Sequence, residues 1–182
     1  MSSQKEWDAT FMQIAHLMAE KSNCVRLGVG AVITKDNRIV SCGYNGTPKD
    51  FDNCSEVCVG LKFDWAQSSA SHMHHLFSEQ YEIHAEMNAI IDMAKRGLSP
   101  VGCTLYTTIC PCKNCAKLVI ASGIKRIIFD EYYYRDVEDQ IKTIHDVENI
   151  IKDKNYFKDY NGSDIISILG YKNLIEIEKF KK

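Results

Sequence analysis

Two short motifs constrain the fold of this chain more than any other feature of its sequence. His-Ala-Glu at residues 84–86 and Pro-Cys-Lys-Asn-Cys at residues 111–115 each stand at the predicted start of a helix. Cys112 and Cys115 are three positions apart, so on a helix they share one face and can hold one ion. The helix dipole also favours thiolates at a helix N-terminus. If both motifs bind the same ion, the fold must bring two distant helix starts together.

The residue types in these motifs are those of a catalytic zinc site. With His84 as a third ligand, Cys112 and Cys115 would leave one vertex of a tetrahedral zinc ion for water. Water at such an ion ionises near pH ~7, and a carboxylate as close as Glu86 can move its proton. A Cys-x-x-Cys pair alone also fits a redox pair or half of a structural zinc finger. Only the two motifs together, in this order, favour catalysis.

Composition sets the class of protein. The 182 residues are 45% hydrophobic and 25% charged, which predicts one globular domain and excludes disorder. We find no secretion signal at the N-terminus and no stretch near the ~18 apolar residues of a membrane helix. We therefore expect a cytoplasmic protein (host cytoplasm if viral) with no membrane partner, whose eight cysteines bind metal or are buried. A net charge of −2 argues against a nucleic-acid partner.

Hydrophobic spacing predicts the element order α-β-β-α-β-α-β-α-β, and therefore a layered α/β domain with helices covering a mixed five-stranded sheet. The predicted helices are about 5–21, 84–97, 112–121 and 165–169, and the predicted strands are about 28–34, 38–44, 104–108, 125–130 and 174–177. Met87, Ile90, Ile91 and Ala94 mark the second helix. Two stretches are irregular: about 45–83, predicted as a long loop, and about 136–162, predicted as helix plus surface loop.

Three blocks of sequence resemble the deoxycytidylate (dCMP) deaminases of the cytidine deaminase-like superfamily, over roughly residues 5–134. Their residues are Val-Gly-Ala-Val-Ile at 29–33 leading to Gly-Tyr-Asn-Gly-Thr-Pro at 43–48, Tyr-Glu-Ile-His-Ala-Glu-Met-Asn-Ala-Ile at 81–90, and Cys-Pro-Cys-Lys-Asn-Cys-Ala-Lys at 110–117. The paired His-x-Glu and Pro-Cys-x-x-Cys motifs are the signature of zinc nucleobase deaminases. The resemblance implies a three-layer α-β-α sandwich. It also implies one domain over 1–182, with an insertion at about 47–83 and a variable tail from about 135.

The resemblance also implies the reaction. His84, Cys112 and Cys115 would hold the catalytic zinc, while Glu86 would move protons from water to N3 of the cytosine and to the leaving ammonia. The product would be dUMP, which feeds thymidylate synthesis.

Substrate contacts are implied at three positions. Asn45 would bind the deoxyribose, the Ala85 backbone N–H would meet the pyrimidine ring, and Tyr133 would contact the substrate. Because Tyr132 and Tyr134 flank Tyr133, the resemblance does not fix which of the three tyrosines makes this contact. For the phosphate, Arg26 and Arg135 flank the matching blocks, and the sequence does not select between them.

A second, structural zinc site is implied by resemblance to phage-type members of the family. Cys24, Cys54, His74 and Glu82 would form a closed tetrahedral site that orders the irregular segment. Cys58 is an alternative zinc ligand to Cys54, and His72 and His75 are alternatives to His74. A solvated polar loop with buried thiols is the alternative.

Partners and regulation follow from the resemblance alone. It implies a homo-oligomer, usually a hexamer, activated by dCTP (as Mg-dCTP) and inhibited by dTTP, with Asn45 to Asp52 as the suspected effector region. Two other hypotheses stay open. One is a zinc deaminase acting on a free base or a nucleic acid, and the other is a non-catalytic, zinc-stabilised binding module.

Overall fold

The computed structural model describes residues 3–58, 68–133 and 157–159. The described helices are α1 (Gln4–Ala19), α2 (Cys54–Cys58), α3 (Ser68–Tyr81), α4 (Ala85–Lys95) and α5 (Lys113–Ala121). The described strands are β1 (Gly30–Lys35), β2 (Arg38–Tyr44), β3 (Thr104–Ile109), β4 (Arg126–Glu131) and β5 (Phe157–Asp159). Among the described residues, no helix is long and apolar enough to cross a membrane.

The strands form one mixed sheet in the order β2-β1-β3-β4-β5. β1 is antiparallel to both β2 and β3, whereas β3, β4 and β5 are parallel to one another. Four of these strands lie within residues 30–131, and the three-residue β5 extends the sheet beyond β4. Strands β2, β3 and β4 end, and β1 begins, at the same edge of the sheet, which we call the carboxyl edge. The predicted mixed α/β fold is confirmed.

Helices cover both faces of the sheet, because alternate side chains of each strand point to opposite faces. On one face, Phe11, Met12 and Ala15 of α1 pack on Val32, Tyr106 and Ile128. On the other face, α4 and α5 pack on Ala31, Ile33, Leu105, Ile127 and Phe129. These three layers are the α-β-α sandwich that the resemblance implied.

The β1–β2 hairpin and its contact with α4 have local causes. Asp36 and Asn37 take positive φ angles of 50° and 54°, the two-residue turn that matches the twist of a hairpin. A Cβ at Gly43 would lie 2.3 Å from the carbonyl oxygen of Ala85 and 2.6 Å from the amide nitrogen of Ala89. β2 and α4 therefore approach backbone to backbone, and this contact fixes the start of α4 at the carboxyl edge.

The prediction of a loop over 45–83 is wrong for the residues of α2 and α3. Neither helix carries a regular apolar stripe, and His74 and Cys54 are buried beside Cys24 rather than in the sheet core. The prediction for 136–162 is wrong at 157–159, because β5 is too short to show periodicity and depends on parallel pairing with β4. The predicted helix 165–169 and strand 174–177 lie outside the described residues.

The second predicted helix is confirmed, but its buried face is different. Ala85, Ala89 and Met93 are at most 1% exposed, while Ala94, one of the predicted marker residues, is exposed. The large side chains Met87, Ile90 and Ile91 are only partly buried. Small residues occupy the inner face because α4 lies so close to β2.

Candidate active site and metal centres

The first candidate centre is built from the starts of α4 and α5 at the carboxyl edge. His84 is the N-cap residue of α4 and Cys112 is the N-cap residue of α5, both with extended backbone. Neither side chain caps its own helix, so both are available to bind elsewhere. Pro111 comes just before the N-cap residue Cys112.

The three predicted ligands of the catalytic ion meet in space. His84 Nδ1 lies 3.3 Å from Cys115 Sγ and 3.6 Å from Cys112 Sγ, and all three donor atoms lie within 4.8 Å of one another. For a tetrahedral zinc ion with Zn–S near ~2.3 Å and Zn–N near ~2.0 Å, the expected N···S separation is about 3.5 Å. The donor set and its spacing therefore fit one zinc ion.

Hydrogen bonds among the three groups shift their pKa values in opposite directions. The pKa of Cys112 is lowered to about 4, chiefly because Cys115 hydrogen-bonds its sulfur. The pKa of His84 is raised to about 9, chiefly by its hydrogen bond to Cys112. The pKa of Cys115 is raised by the bond to Cys112 and by burial. A divalent cation would displace the protons that these groups share.

Glu86 lies in the first turn of α4, beside this group. It is 3% exposed, and burial raises the pKa of its carboxyl group while the nearby His84 opposes the shift. Its side chain is also hydrogen-bonded to Cys115. A carboxyl group whose pKa is raised can hold a proton more readily and return it, as general acid–base catalysis requires.

Asn45 follows β2 at the carboxyl edge and holds the neighbouring loop in place. Its Oδ1 accepts a hydrogen bond from the amide of Val29 at 2.7 Å, and its Nδ2 donates to the carbonyl oxygen of Leu27 at 3.0 Å. Gly46 then exchanges two backbone hydrogen bonds with Ile83, the residue before His84. Asn45 thus ties the loop before β1 to the end of β2, and its contact with a substrate stays a prediction.

Two of the three neighbouring tyrosines are distinguished by their contacts. Tyr132 packs edge-on against Phe129 at 5.0 Å and adjoins the sheet core. Tyr133 instead lies under the guanidinium group of Arg26, whose Cζ is 5.5 Å from the ring centre. Tyr134 lies outside the described residues. Of the pair, Tyr133 is the one that faces away from the core.

The second candidate centre combines α2, α3 and the loop after α1. Cys24 Sγ lies 3.3 Å from His74 Nε2, and the donor atoms of Cys24, Cys54 and His74 all lie within 4.8 Å of one another. Burial raises the pKa of Cys24 to about 12 and of Cys54 to about 11. Both thiols would therefore need a cation to lose their protons near neutral pH.

The alternative ligands of this second centre lie outside the group of three donor atoms or outside the described side chains. His75 is exposed, with its Nε2 3.8 Å from Glu79, and the side chain of His72 lies outside the described residues. Cys58 Sγ lies 3.9 Å from Cys54 Sγ but outside the compact trio. The geometry favours His74 and Cys54.

Glu82 also lies outside that trio, but its carboxylate interacts electrostatically with Cys24, Cys54 and His74. Its Oε2 accepts a hydrogen bond from Ser78 at 2.7 Å, while its buried Oε1 has no hydrogen-bond partner among the described residues. A buried carboxylate oxygen without a partner is costly, so it marks a position where a cation would stabilise the fold.

Sequence reasoning missed Asn88 as a residue that supports the site. Its Nδ2 donates to the carbonyl oxygens of Tyr44 at 2.8 Å and Ile83 at 3.3 Å, which ties the end of β2 to the residue before His84. The available signal was a polar side chain among the small and apolar residues after the His-Ala-Glu motif.

Three comparisons with known proteins all point to the cytidine and deoxycytidylate deaminases. The family model for the cytidine and deoxycytidylate deaminase zinc-binding region matches residues 5–131. The deoxycytidylate deaminase of Enterobacteria phage T4 is 37% identical over 151 residues, covering 69% of this chain and 78% of that protein. The Mus musculus deoxycytidylate deaminase is 36% identical over 135 residues, covering 74% and 70%. The crystal structure of the cyanophage S-TIM5 dCMP deaminase in complex with dCMP and dUMP superposes with a TM-score of 0.64 at 27% identity, covering 87% and 98%.

Proposed function

Because this chain belongs to the cytidine and deoxycytidylate deaminase family and is a deaminase enzyme, we propose that it hydrolyses dCMP to dUMP and ammonia. The observation that carries the proposal is the meeting of His84, Cys112 and Cys115 beside the buried carboxyl group of Glu86. Several of its relatives are deoxycytidylate deaminases, and the S-TIM5 enzyme was crystallised with dCMP and dUMP. These comparisons support dCMP as the substrate.

Four side chains would carry the chemistry. His84, Cys112 and Cys115 would hold a zinc ion, which supplies an activated water at the base of the site. Glu86 takes a proton from the attacking water and delivers it to N3 of the cytosine ring. It would then carry the proton of the new C4 hydroxyl to the amino group, so that the C4–N bond breaks, ammonia leaves and the C4 carbonyl forms. The raised pKa of Glu86 suits it to both transfers.

The substrate would be oriented by groups at the carboxyl edge. The Ala85 N–H lies in the first turn of α4, where an N–H has no intrahelical acceptor, and so it can meet the pyrimidine ring. Asn45 would bind the deoxyribose through its remaining Nδ2 hydrogen. Tyr133 would lie against the nucleotide.

A substrate panel tests this proposal. We expect the zinc-loaded protein to release ammonia from dCMP faster than from CMP, deoxycytidine, cytosine or single-stranded DNA. Activity on cytosine or single-stranded DNA without activity on dCMP would instead assign the site to another base-containing substrate. No deamination of any of these by protein with a full zinc complement would favour the non-catalytic binding module.

We also propose a second, structural zinc ion held by Cys24, Cys54 and His74, with the unpartnered Oε1 of Glu82 as the fourth ligand. Such a site would order α2 and α3, whose described residues include the exposed apolar side chains of Val57, Met73, Leu76 and Tyr81. Zinc analysis of Cys54→Ser against the matched control Cys58→Ser tests it. We expect two zinc ions per chain in the control and one in Cys54→Ser. Equal zinc content in the two variants would contradict this ligand set.

The regulatory proposals rest on the family. We propose a cytoplasmic homo-oligomer, a hexamer, that is activated by Mg-dCTP, inhibited by dTTP and supplies dUMP for thymidylate synthesis. Exposed apolar side chains between residues 44 and 81, the stretch that contains the suspected effector segment 45–52, support an interface there. They are Tyr44, Phe51, Val57, Met73, Leu76 and Tyr81.

A further inference from the structure

All four polar groups of Asn45 are held by the loop over residues 20–29, which joins α1 to β1. Its side chain bonds Leu27 and Val29, and its backbone amide donates to the carbonyl oxygen of Val29 at 3.1 Å. The fourth group, its carbonyl oxygen, accepts a hydrogen bond from Oγ of Ser22 at 2.9 Å. Because Asn45 is only 7% exposed, water is a poor substitute for these partners.

The hydroxyl group of Ser22 connects Asn45 to a cysteine of the second centre. It donates to Asn45 and also accepts a hydrogen bond from the backbone amide of Cys24 at 3.2 Å. A hydroxyl group can do both, because it carries one donor and two acceptor lone pairs. A serine that accepts from the amide two residues ahead also stabilises a tight turn. Cys24 and Asn45 are therefore joined through a single side-chain oxygen atom.

The turn that carries Ser22 is attached to both helices of the second centre. The sulfur of Cys24 lies 3.3 Å from Nε2 of His74 on α3. The carbonyl oxygen of the preceding residue, Asn23, accepts a hydrogen bond from the amide of Ser55 on α2 at 3.1 Å. Ser22 thus extends from a turn that contacts outside its own loop fix in place.

On its other side, Asn45 adjoins the catalytic group. The next residue, Gly46, exchanges two backbone hydrogen bonds with Ile83, at 3.1 and 2.8 Å. Ile83 directly precedes His84, which is the N-cap residue of α4 and a candidate zinc ligand. Asn45 therefore links the turn at Cys24 to the start of α4, and its position depends on both.

We infer that Ser22 is a positioning residue for the substrate, whose hydroxyl group holds the backbone of Asn45 where the Asn45 side chain can contact the sugar. The inference rests on the proposed dCMP deamination, in which Asn45 would bind the deoxyribose. Without the hydroxyl group, the carbonyl oxygen of Asn45 and the amide of Cys24 would each lose a hydrogen bond, which favours a shifted backbone. Because the sugar is remote from the bond that breaks, this loss should weaken substrate binding rather than slow proton transfer by Glu86.

Steady-state kinetics of the zinc-loaded protein with dCMP test the inference. For Ser22→Ala we expect KM to rise roughly 5- to 20-fold, with kcat within about threefold of wild type and an unchanged pH profile of kcat. Ser22→Thr keeps the hydroxyl group and should restore KM to within about threefold of wild type. Ser99→Ala is the matched control, because Oγ of Ser99 also accepts from an amide two residues ahead, that of Val101, in the loop before β3 at the opposite edge of the sheet. It should change neither value.

A double-mutant comparison shows whether Ser22 acts through Asn45. If it does, Ser22→Ala combined with Asn45→Ala should have a kcat/KM within about twofold of Asn45→Ala alone, because the contact that Ser22 supports is already gone. Multiplication of the two separate losses would overturn the inference. A wild-type KM in Ser22→Ala would overturn it too.

Hydrogen exchange measured by mass spectrometry separates this inference from the proposed reaction. The amides of Val29 and Asn45 both donate across the contact between these two residues. We expect them to exchange roughly tenfold faster in Ser22→Ala than in wild type, with α5 and the zinc content unchanged. If wild-type protein does not turn over dCMP, the proposed function fails, but this exchange pattern would still support the positioning of Asn45 by Ser22. Wild-type exchange at both amides, or loss of zinc from Ser22→Ala, would contradict it.

Discussion

Glu86 is the residue on which the proposed chemistry depends. Burial raises its pKa against the opposing effect of His84, and no other carboxylate among the described residues is both buried and next to His84, Cys112 and Cys115. Its position two residues after His84 means that one helix start would supply both a zinc ligand and a proton carrier. The sequence could predict this pairing because it is local.

Replacing Glu86 with glutamine tests that role at the scale of one atom. Glu86→Gln keeps the shape of the side chain but cannot accept a proton from water. We expect dCMP turnover to fall about 10²- to 10⁴-fold with zinc content unchanged. Glu79→Gln, an exposed residue on α3, is the control. Turnover within twofold of wild type in Glu86→Gln would remove it from the mechanism.

At the scale of elements, the close approach of β2 and α4 determines where His84 lies. Gly43→Ala would place a Cβ 2.3 Å from the carbonyl oxygen of Ala85, an atom of the backbone that cannot give way locally. We expect a loss of roughly 2 kcal/mol or more in the free energy of unfolding, with reduced activity as α4 shifts.

Gly46→Ala is the matched control for that variant. A Cβ at Gly46 meets nothing within 4 Å, so its free energy of unfolding should stay within about 0.5 kcal/mol of wild type. Urea unfolding of the two variants gives the comparison. Similar stability in both would show that the contact between β2 and α4 is looser than the structure indicates.

The elements also show what sequence patterns can predict. The hairpin, α4 and α5 follow from local signals: a turn of Asp and Asn, apolar spacing and helix caps. α2, α3 and β5 were missed because their positions depend on partners far away in the chain, namely Cys24 for the two helices and β4 for the strand.

At the scale of the whole molecule, exposed apolar side chains and the proposed effector site lead to a prediction about assembly. Among the described residues, Phe51 and Met73 are 56% and 54% exposed, and both lie in the insertion near the second centre. We expect sedimentation analysis to show a hexamer, and Phe51→Glu combined with Met73→Glu to yield smaller species. A monomer in wild-type protein, with and without Mg-dCTP, would contradict the assembly.

The most direct test of the central claim is an anomalous difference map measured at the zinc absorption edge on crystals of the zinc-loaded protein. We expect a peak about 2.3 Å from the sulfurs of Cys112 and Cys115 and about 2.0 Å from Nδ1 of His84, with the Glu86 carboxyl group alongside. A map without a peak among these three side chains, from protein that deaminates dCMP, would contradict the proposed site.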